Sequence, residues 1–128
     1  DVMGVNEYFG WYDPHFEKLI TLFENSRSDK PVVITECGAD APCGEHGTKD
    51  QMWTEEYQEN VYIQQEETIR KIDYVAGFSP WILYDFRCPR RTNRYQQSFY
   101  NRKGLLNPEK TQKKLAFNVL RDFYAEWE

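Results

Sequence analysis

Glu36 is the residue of this sequence that is best placed to do chemistry. It ends a run of four β-branched or aliphatic residues of high strand preference, Val32–Thr35, within the stretch PVVITECGAD. Such a run is typical of a strand that is buried on both faces in a parallel sheet. Parallel α/β barrels carry their reactive side chains at the C-terminal ends of their strands. Two interpretations stay open from the local pattern: Glu36 is a reactive carboxylate, or it is a structural carboxylate paired with an arginine.

Two other predicted strands also end in polar or aromatic side chains. The first is Val2–Trp11, with the sequence VMGVNEYFGW, and the last is Tyr74–Phe86, with the sequence YVAGFSPWILYDF. Because the carboxyl ends of parallel strands meet at one edge of a sheet, we expect the loops that follow the three strands to build one shared site.

Three amphipathic helices are predicted to follow the three strands. The first is expected to be capped by Asp13, with Pro14 in its first turn. The second begins at a Thr54 cap and runs to about Asp73. The third carries an apolar stripe within the range Leu115–Trp127. The order β-α-β-α-β-α predicts an α/β fold with a parallel sheet and right-handed crossovers.

Length, composition and charge exclude several classes of protein. The 128 residues are enough for one domain with a core, and 40% hydrophobic residues exclude a disordered chain. A net charge of -5 argues against a general nucleic-acid partner. No apolar run approaches the roughly 20 residues that span a bilayer, so no membrane partner is expected. The sequence is compatible with a periplasmic, secreted or cytoplasmic location.

The three cysteines fit neither a disulfide framework nor a metal site. His46 lies near Cys37 and Cys43, but their spacing and the presence of only 2 histidines are poor for zinc, which takes about four ligands. We therefore expect no metal and no cofactor.

The motifs VMGVNEYFGWY, PVVITECGAD, MWTEEYQ and SPWILYDF occur in this order and together resemble glycoside hydrolase family 2. This family contains β-glucuronidases, β-galactosidases and β-mannosidases. The resemblance covers residues 1–128 and implies the C-terminal part of a catalytic domain. The implied fold is a partial (β/α)8 TIM barrel, made of its last three β/α units with parallel strands. The resemblance places the acid/base carboxylate, the first part of the barrel and two β-sandwich domains before Asp1.

The resemblance also implies roles for individual residues. Glu36 matches the nucleophile of a retaining glycosidase, Tyr8 matches a tyrosine that hydrogen-bonds this nucleophile, and Trp81 matches an aromatic wall of the sugar pocket. In the β-glucuronidase branch an N-x-K pair contacts the sugar carboxylate, and Asn101 and Lys103 match it. Similar strings occur in β-galactosidase-like members. The remaining substrate-binding candidates are Tyr12, Asn6, His46, Asp85 and Arg90.

Several of these candidates keep a structural alternative. Asp85 is expected either in the site or in an ion pair with Arg87 or Arg90, and His46 either lines the pocket or orders its loop. The arginine-rich segment Arg87–Lys103 either receives an acidic sugar, because arginine grips carboxylates bidentately, or forms a solvated loop.

The expected function is that of a retaining exo-β-glycosidase with a carbohydrate substrate. The first candidate substrate is a β-glucuronide, and a β-galactoside is the second. The alternatives are a non-catalytic fragment and a sugar-binding piece, both lacking the acid/base carboxylate and inactive alone. Because three parallel strands cannot close a barrel, we also expect association with a second copy or with the missing part of the barrel.

Overall fold

The computed structural model describes residues 1–127. This range contains three helices, which are α1 (Glu17–Asn25), α2 (Glu55–Ile69) and α3 (Leu115–Glu126). The strands are β1 (Met3–Asn6), β2 (Val32–Glu36), β3 (Val75–Phe78), β4 (Phe86–Arg87) and β5 (Tyr100–Asn101). Strands β1, β2 and β3 form a parallel sheet in that order, and β4 pairs antiparallel with β5. The predicted three-stranded parallel sheet is confirmed.

The central strand β2 is buried on one face only. Val32 and Ile34 lie in the core with side chains from all three helices, whereas Val33 is half-buried and Thr35 is exposed. The prediction that this strand is buried on both faces is therefore wrong. The reason is that the core side chains of the helices pack against the Val32 face, while the opposite face is flanked by Gly4 and Gly77, which offer no side chain to cover it.

The first and last predicted strands are shorter than their sequence pattern suggested. Strand β1 ends at Asn6, where its register with β2 shifts. Strand β3 ends at Phe78, and the chain leaves the sheet through Pro80, which has no N–H to continue a ladder. A cis peptide bond joins Trp81 to Ile82. The remainder of the predicted third strand contributes an isolated bridge from Tyr84 to Leu106 and the first residue of β4, which belongs to a separate pair.

Of the two N-terminal helix caps that the sequence predicts, the structure contains one. The Thr54 hydroxyl accepts the Tyr57 N–H at 3.1 Å, so the predicted cap of α2 is confirmed. The predicted Asp13 cap of α1 is wrong, because the Asp13 carboxylate instead accepts the N–H of His15 at 3.0 Å and the Lys18 ammonium at 2.7 Å. Helix α1 begins after Phe16 without a side-chain cap, and α2 ends at Ile69, before the predicted Asp73.

The last helix buries the centre of its predicted stripe. Ala116, Leu120 and Phe123 belong to the core, while Tyr124 is 44% exposed and donates its hydroxyl hydrogen to the Phe78 carbonyl at 2.7 Å. Among the helices of residues 1–127, none combines the length and the apolar character that crossing a membrane requires.

Candidate active site

The ends of β1 and β2 bring Tyr8 and Glu36 together. The Glu7 N–H donates to the Glu36 carbonyl at 2.9 Å, which extends the pairing of the two strands by one residue. The Tyr8 hydroxyl then donates to Glu36 Oε2 at 2.9 Å. Burial, followed by the hydrogen bond to Glu36, raises the pKa of Tyr8, so the phenol stays a donor. The half-buried Glu36 carboxylate is thus held by a neutral hydroxyl.

A buried cation lies beside this pair. The Lys103 side chain is 1% exposed, and its ammonium donates to the buried Asp40 carboxylate and to the Tyr12 hydroxyl, the latter at 3.3 Å. The ammonium lies 4.9 Å from the Trp11 ring centroid, 5.0 Å from that of Tyr12 and 5.7 Å from that of Tyr8. Such distances are favourable for cation–π attraction. The Lys103 charge is therefore compensated by Asp40 and surrounded by aromatic faces.

Tyr12 connects this buried cation to the surface. Tyr12 is 62% exposed, and its hydroxyl also accepts a hydrogen bond from Arg91 Nη2 at 3.3 Å. Burial raises the pKa of Tyr12, but the hydrogen bonds and charges of Arg91 and Lys103 outweigh it, and the net shift is downward. The structure thus brings Arg91 to the site, whereas the candidate Arg90 is exposed and has no salt bridge within residues 1–127.

Asn101 and Asp40 hold the loops that carry Lys103. The Asn101 side-chain oxygen accepts the Lys103 N–H at 3.0 Å, and Asp40 Oδ1 accepts the Arg102 N–H at 2.8 Å. The Ala41 N–H also donates to the Arg102 carbonyl at 3.0 Å. The loop after β2 is therefore fastened to the segment after β5, and Asn101, which is 5% exposed, orders that segment.

Asp85 is a structural carboxylate in this arrangement. Its Oδ1 accepts the Lys114 ammonium at 2.7 Å and the Gly104 N–H at 2.9 Å, and its Oδ2 lies 3.4 Å from Arg102 Nη1. The predicted pairing with Arg87 or Arg90 is wrong. Burial raises the pKa of Asp85, and the attraction of Lys114 and Arg102 only partly opposes this shift.

The partners of Asp85 come from segments far along the sequence, which meet Asp85 where the backbone of Gly104 lies against its own. A Cβ atom at Gly104 would collide with the backbone of Asp85, so only glycine allows this contact. Lys114 stands just before α3, 29 residues after Asp85. Pairing over such a distance leaves no local signal in the sequence.

Trp81 lies next to the end of β2. Its N–H donates to the Cys37 carbonyl at 2.8 Å, and its half-buried ring makes an edge contact with Phe86 at 6.1 Å between centroids. Gly38 has a φ of 145°, and a Cβ there would meet the Tyr62 hydroxyl at 2.6 Å. Trp81 is thus bonded to Cys37, the residue that directly follows Glu36 at the end of β2.

The remaining two candidates are exposed. The Asn6 side-chain oxygen accepts the Thr35 hydroxyl hydrogen at 2.6 Å, on the uncovered face of the sheet. His46 Nδ1 lies 2.9 Å from Glu56 Oε1, and Glu56 also accepts the Gly47 N–H at 3.0 Å. The hydrogen bond to Glu56 raises the pKa of His46. These contacts favour the loop-ordering role of His46 over the pocket-lining one.

Two buried glutamines of α2 that support the site were missed by the sequence reasoning. Gln58 donates to the carbonyls of Ala39 and Gly104 at 2.9 and 3.1 Å, and Gln65 donates to the Phe9 carbonyl at 3.1 Å. Glu7, which is 5% exposed, accepts the Phe9 N–H at 3.0 Å and Gln65 Nε2 at 3.3 Å. Glutamine on a helix resembles ordinary surface sequence, so these buried positions on α2 carried no signal.

Metal ligands do not cluster in the part of the chain that the structure describes. No group of three or more His, Cys, Asp or Glu side chains within residues 1–127 could hold a metal ion, and Cys37, Cys43 and Cys88 are free thiols.

The site consists of a carboxylate positioned by a phenol, with a cationic and aromatic cluster beside it. Such a carboxylate can act as a nucleophile, and the cluster can receive an anion.

Comparison with known proteins gives a consistent set of relatives. No family model matches the chain. A β-glucuronidase of Paenibacillus borealis is 33% identical over 136 residues, which cover 98% of this chain and 22% of that protein. The chain spans about a fifth of the length of the curated relatives that it matches.

Solved structures agree with the sequence relatives. The structure of Bifidobacterium dentium β-glucuronidase complexed with coumarin-3-O-glucuronide matches with a TM-score of 0.83 and 32% identity, covering 100% of this chain and 21% of that one. A GH2 β-galacturonidase from Eisenbergiella tayi bound to galacturonate matches with a TM-score of 0.82 and 27% identity, covering 99% of this chain and 24% of that one.

Proposed function

We propose, from this homology to β-glucuronidases over about a fifth of their length, that the chain supplies the nucleophile side of a retaining exo-β-glucuronidase site. The observation that carries the proposal is the 2.9 Å hydrogen bond from the Tyr8 hydroxyl to Glu36 at the ends of neighbouring parallel strands. In this proposal the three strands are the last three of a (β/α)8 barrel, and residues 1–128 are the C-terminal part of its catalytic domain.

Glu36 is the nucleophile in the proposed reaction. Its carboxylate attacks the anomeric carbon, the bond to the leaving oxygen breaks, and a covalent glycosyl-enzyme forms. Water then releases the sugar with the original configuration. Glu36 must be ionised to attack, and the Tyr8 hydroxyl both stabilises this anion and orients it.

A second carboxyl group has to protonate the leaving oxygen and then activate water, at about 5–5.5 Å from the nucleophile. Asp40 and Asp85 are engaged in buried ion pairs, and Glu7 is buried and bonded to Phe9 and Gln65. Glu45 lies in an exposed loop. We therefore infer that the acid/base group comes from outside these 128 residues, and that the chain alone does not turn over substrate.

Charge favours a uronic acid over a neutral sugar. The Lys103 charge is balanced by Asp40, whereas within residues 1–127 the Arg91 guanidinium bonds only to the neutral Tyr12 hydroxyl. Arg91 therefore contributes a positive charge at the exposed edge that no salt bridge in this range balances. A glucuronate carboxylate can take up this charge through the bidentate geometry of arginine. Lys103 and Asn101 are buried and have a supporting role in this proposal. Lys103 donates to the Tyr12 hydroxyl, and Asn101 orders the segment that carries Lys103. A neutral galactoside gains nothing from this arrangement.

The direct test is Glu36→Gln in the longest protein that carries this chain. We expect kcat on a chromogenic β-glucuronide to fall by about 10⁴-fold or more, because the amide cannot attack, while substrate binding persists. Steady-state kinetics and equilibrium binding of the same substrate measure the two effects.

Glu45→Gln is the matched control, because it makes the same chemical change at an exposed carboxylate and should leave kcat unaltered. Unchanged turnover in the Glu36 variant would remove the nucleophile assignment. Faster hydrolysis of a β-galactoside than of a β-glucuronide by the unmodified protein would remove the uronic acid assignment.

A further inference from the structure

The segment 86–101, here called the arginine hairpin, concentrates positive charge on an acidic chain. It contains Arg87, Arg90, Arg91 and Arg94 and no acidic residue, whereas the chain as a whole has a net charge of -5. Arg87, Arg90 and Arg94 are exposed, and within residues 1–127 they make no salt bridge. These three charges are therefore available to an anion from solution.

Two aromatic rings are exposed on the same hairpin. Tyr95 is 93% exposed and Phe99 is 48% exposed. Phe99 and its neighbour Ser98 have φ values of 66° and 47°, a conformation that residues with side chains rarely adopt. Core packing does not account for these rings. Flat apolar rings beside cations are the surface that a charged sugar can contact with its ring face and its carboxylate at once.

The hairpin presents these side chains on an ordered turn. The Asn93 side-chain oxygen accepts the N–H groups of Tyr95 at 3.1 Å and Gln96 at 3.3 Å. The Asn93 carbonyl accepts the N–H of Ser98 at 2.8 Å, and the Ser98 hydroxyl donates to the Arg94 carbonyl at 2.7 Å. Because Arg94 and Tyr95 sit on this bonded turn, a ligand needs to order less of the chain when it binds.

The arginine hairpin is continuous with the candidate active site. Arg91 belongs to the hairpin and donates to the Tyr12 hydroxyl at 3.3 Å, while its carbonyl accepts the Phe99 N–H at 2.8 Å. A ligand that occupies the surface of Tyr12 can therefore extend along the hairpin.

We propose that the arginine hairpin binds the sugars that follow the terminal residue of an acidic oligosaccharide. Arg94 and its exposed neighbours pair with carboxylates along the chain, and Tyr95 stacks against a sugar ring. This inference rests on the proposed function, since it takes the terminal uronate to lie against Tyr12 and Glu36. It makes the substrate class a uronic acid oligomer, as opposed to a glucuronide of a small neutral alcohol.

The test uses calorimetric titration of this chain at low salt with a tetrasaccharide of β-1,4-linked glucuronic acid. Cellotetraose is the neutral analogue with the same linkage, and methyl β-glucuronide is the single-sugar probe. The variant carries Arg94→Gln and Tyr95→Ala. The matched charge control is Lys30→Gln, which lies before the N-terminal end of β2, at the opposite end of this strand from Glu36. All three positions are exposed, so thermal unfolding should be unchanged.

We expect the double variant to bind the acidic tetrasaccharide about tenfold more weakly, which corresponds to about 1.4 kcal/mol. The Lys30 variant should bind like the unmodified chain, cellotetraose should bind more weakly than its acidic counterpart, and added salt should weaken binding. Equal affinity of the double variant and the unmodified chain would overturn the inference. So would equal binding of cellotetraose, or no binding of the acidic tetrasaccharide to the folded chain.

These results separate the two proposals. If methyl β-glucuronide binds and Glu36 is essential for turnover, yet the double variant is unaffected, only the role of the hairpin fails. If Glu36→Gln leaves turnover unchanged while the acidic tetrasaccharide still depends on Arg94 and Tyr95, the proposed function fails and the binding surface remains.

Discussion

Lys103 shows how burial changes what a charged residue can do. Its ammonium is enclosed by aromatic rings and bonded to Asp40, and removal of either partner would leave an uncompensated buried charge. Loss of activity on substitution of Lys103 would therefore mix lost stability with lost recognition. Arg91 is the better probe of recognition, because it is only half-buried and bonds to a neutral hydroxyl.

Glu7 is a buried carboxyl whose titration is linked to the stability of the fold. Burial raises the pKa of this carboxyl to about 7, and the hydrogen bonds from Phe9 and Gln65 oppose the shift only in part. The folded protein therefore binds a proton more tightly than the unfolded chain. Stability from this group is fully present below pH 4.5 and is lost as the pH rises through about 7.

Glu7→Gln should accordingly stabilise the chain at pH 8, by about 1–3 kcal/mol, and should flatten the decline of stability between pH 5 and pH 8. The amide keeps an acceptor for the Phe9 N–H and needs no proton. Urea unfolding at several pH values measures the free energy. Glu24→Gln, at an exposed site on α1, is the control with the same chemical change and should have little effect. A variant at position 7 as pH-dependent as the unmodified chain would contradict the assignment.

At the scale of elements, the ion pair between Asp85 and Lys114 joins the segment before β4 to the start of α3. Both side chains are fully buried, and Arg102 after β5 adds a third charge. Burial lowers the pKa of Lys114 and raises that of Asp85, and in each case the partner opposes the shift only in part. The pair therefore fixes the position at which the segment before β4, the segment after β5 and the start of α3 meet. The desolvation of its two charges opposes this stabilisation.

Lys114→Met should destabilise the chain by about 3 kcal/mol or more, because the methionine fills the space but leaves Asp85 buried without its main partner. The double variant Asp85→Asn with Lys114→Met should lose less than the sum of the two single variants. Urea unfolding with matched buffers measures both. Asp122→Asn, which breaks an exposed pair with Arg121, should leave stability unchanged. Additive losses would show that the two residues do not act as a pair.

Local sequence signals predicted the elements that depend on local chemistry. The β-branched run of β2 and the Thr54 cap were both recognisable, because strand preference and capping act over a few residues. The third strand was predicted too long because an apolar run continues past Pro80, although the pairing of β3 with β2 already ends at Phe78. Burial of β2 was overestimated since a run of apolar residues does not report how many layers cover the sheet.

The site was predictable to the extent that it follows strand ends and motifs. The resemblance to glycoside hydrolase family 2 implied that Tyr8 hydrogen-bonds Glu36, and the structure brings the two within hydrogen-bonding distance. Partners such as Lys114 for Asp85 and Arg91 for Tyr12 depend on contacts between segments far apart in sequence. Sequence spacing alone could not distinguish Arg91 from Arg90, because the path of the hairpin decides which of two neighbours reaches the site.

At the scale of the whole molecule, the sheet has two open edges and one uncovered face. Strands β1 and β3 are the outer strands of the parallel sheet, and each presents unpaired backbone groups on one side. An apolar groove lies between the segment after β3 and α3, lined among others by Pro80, Leu83 and Tyr124. Leu83 is 53% exposed there. In the proposed barrel a neighbouring segment would cover these surfaces, and a second copy of the chain is the alternative.

We expect the isolated chain to associate as its concentration rises, because burial of the groove and of a strand edge removes apolar surface and unpaired backbone groups from water. Leu83→Glu should weaken this association, since it places a charge in the groove. Met52→Glu, at a loop position of similar exposure, 42%, should not. Sedimentation velocity over a wide range of concentrations measures the effect. A chain that stays monomeric throughout would contradict the expectation, and equal effects of the two variants would show that association does not use the groove.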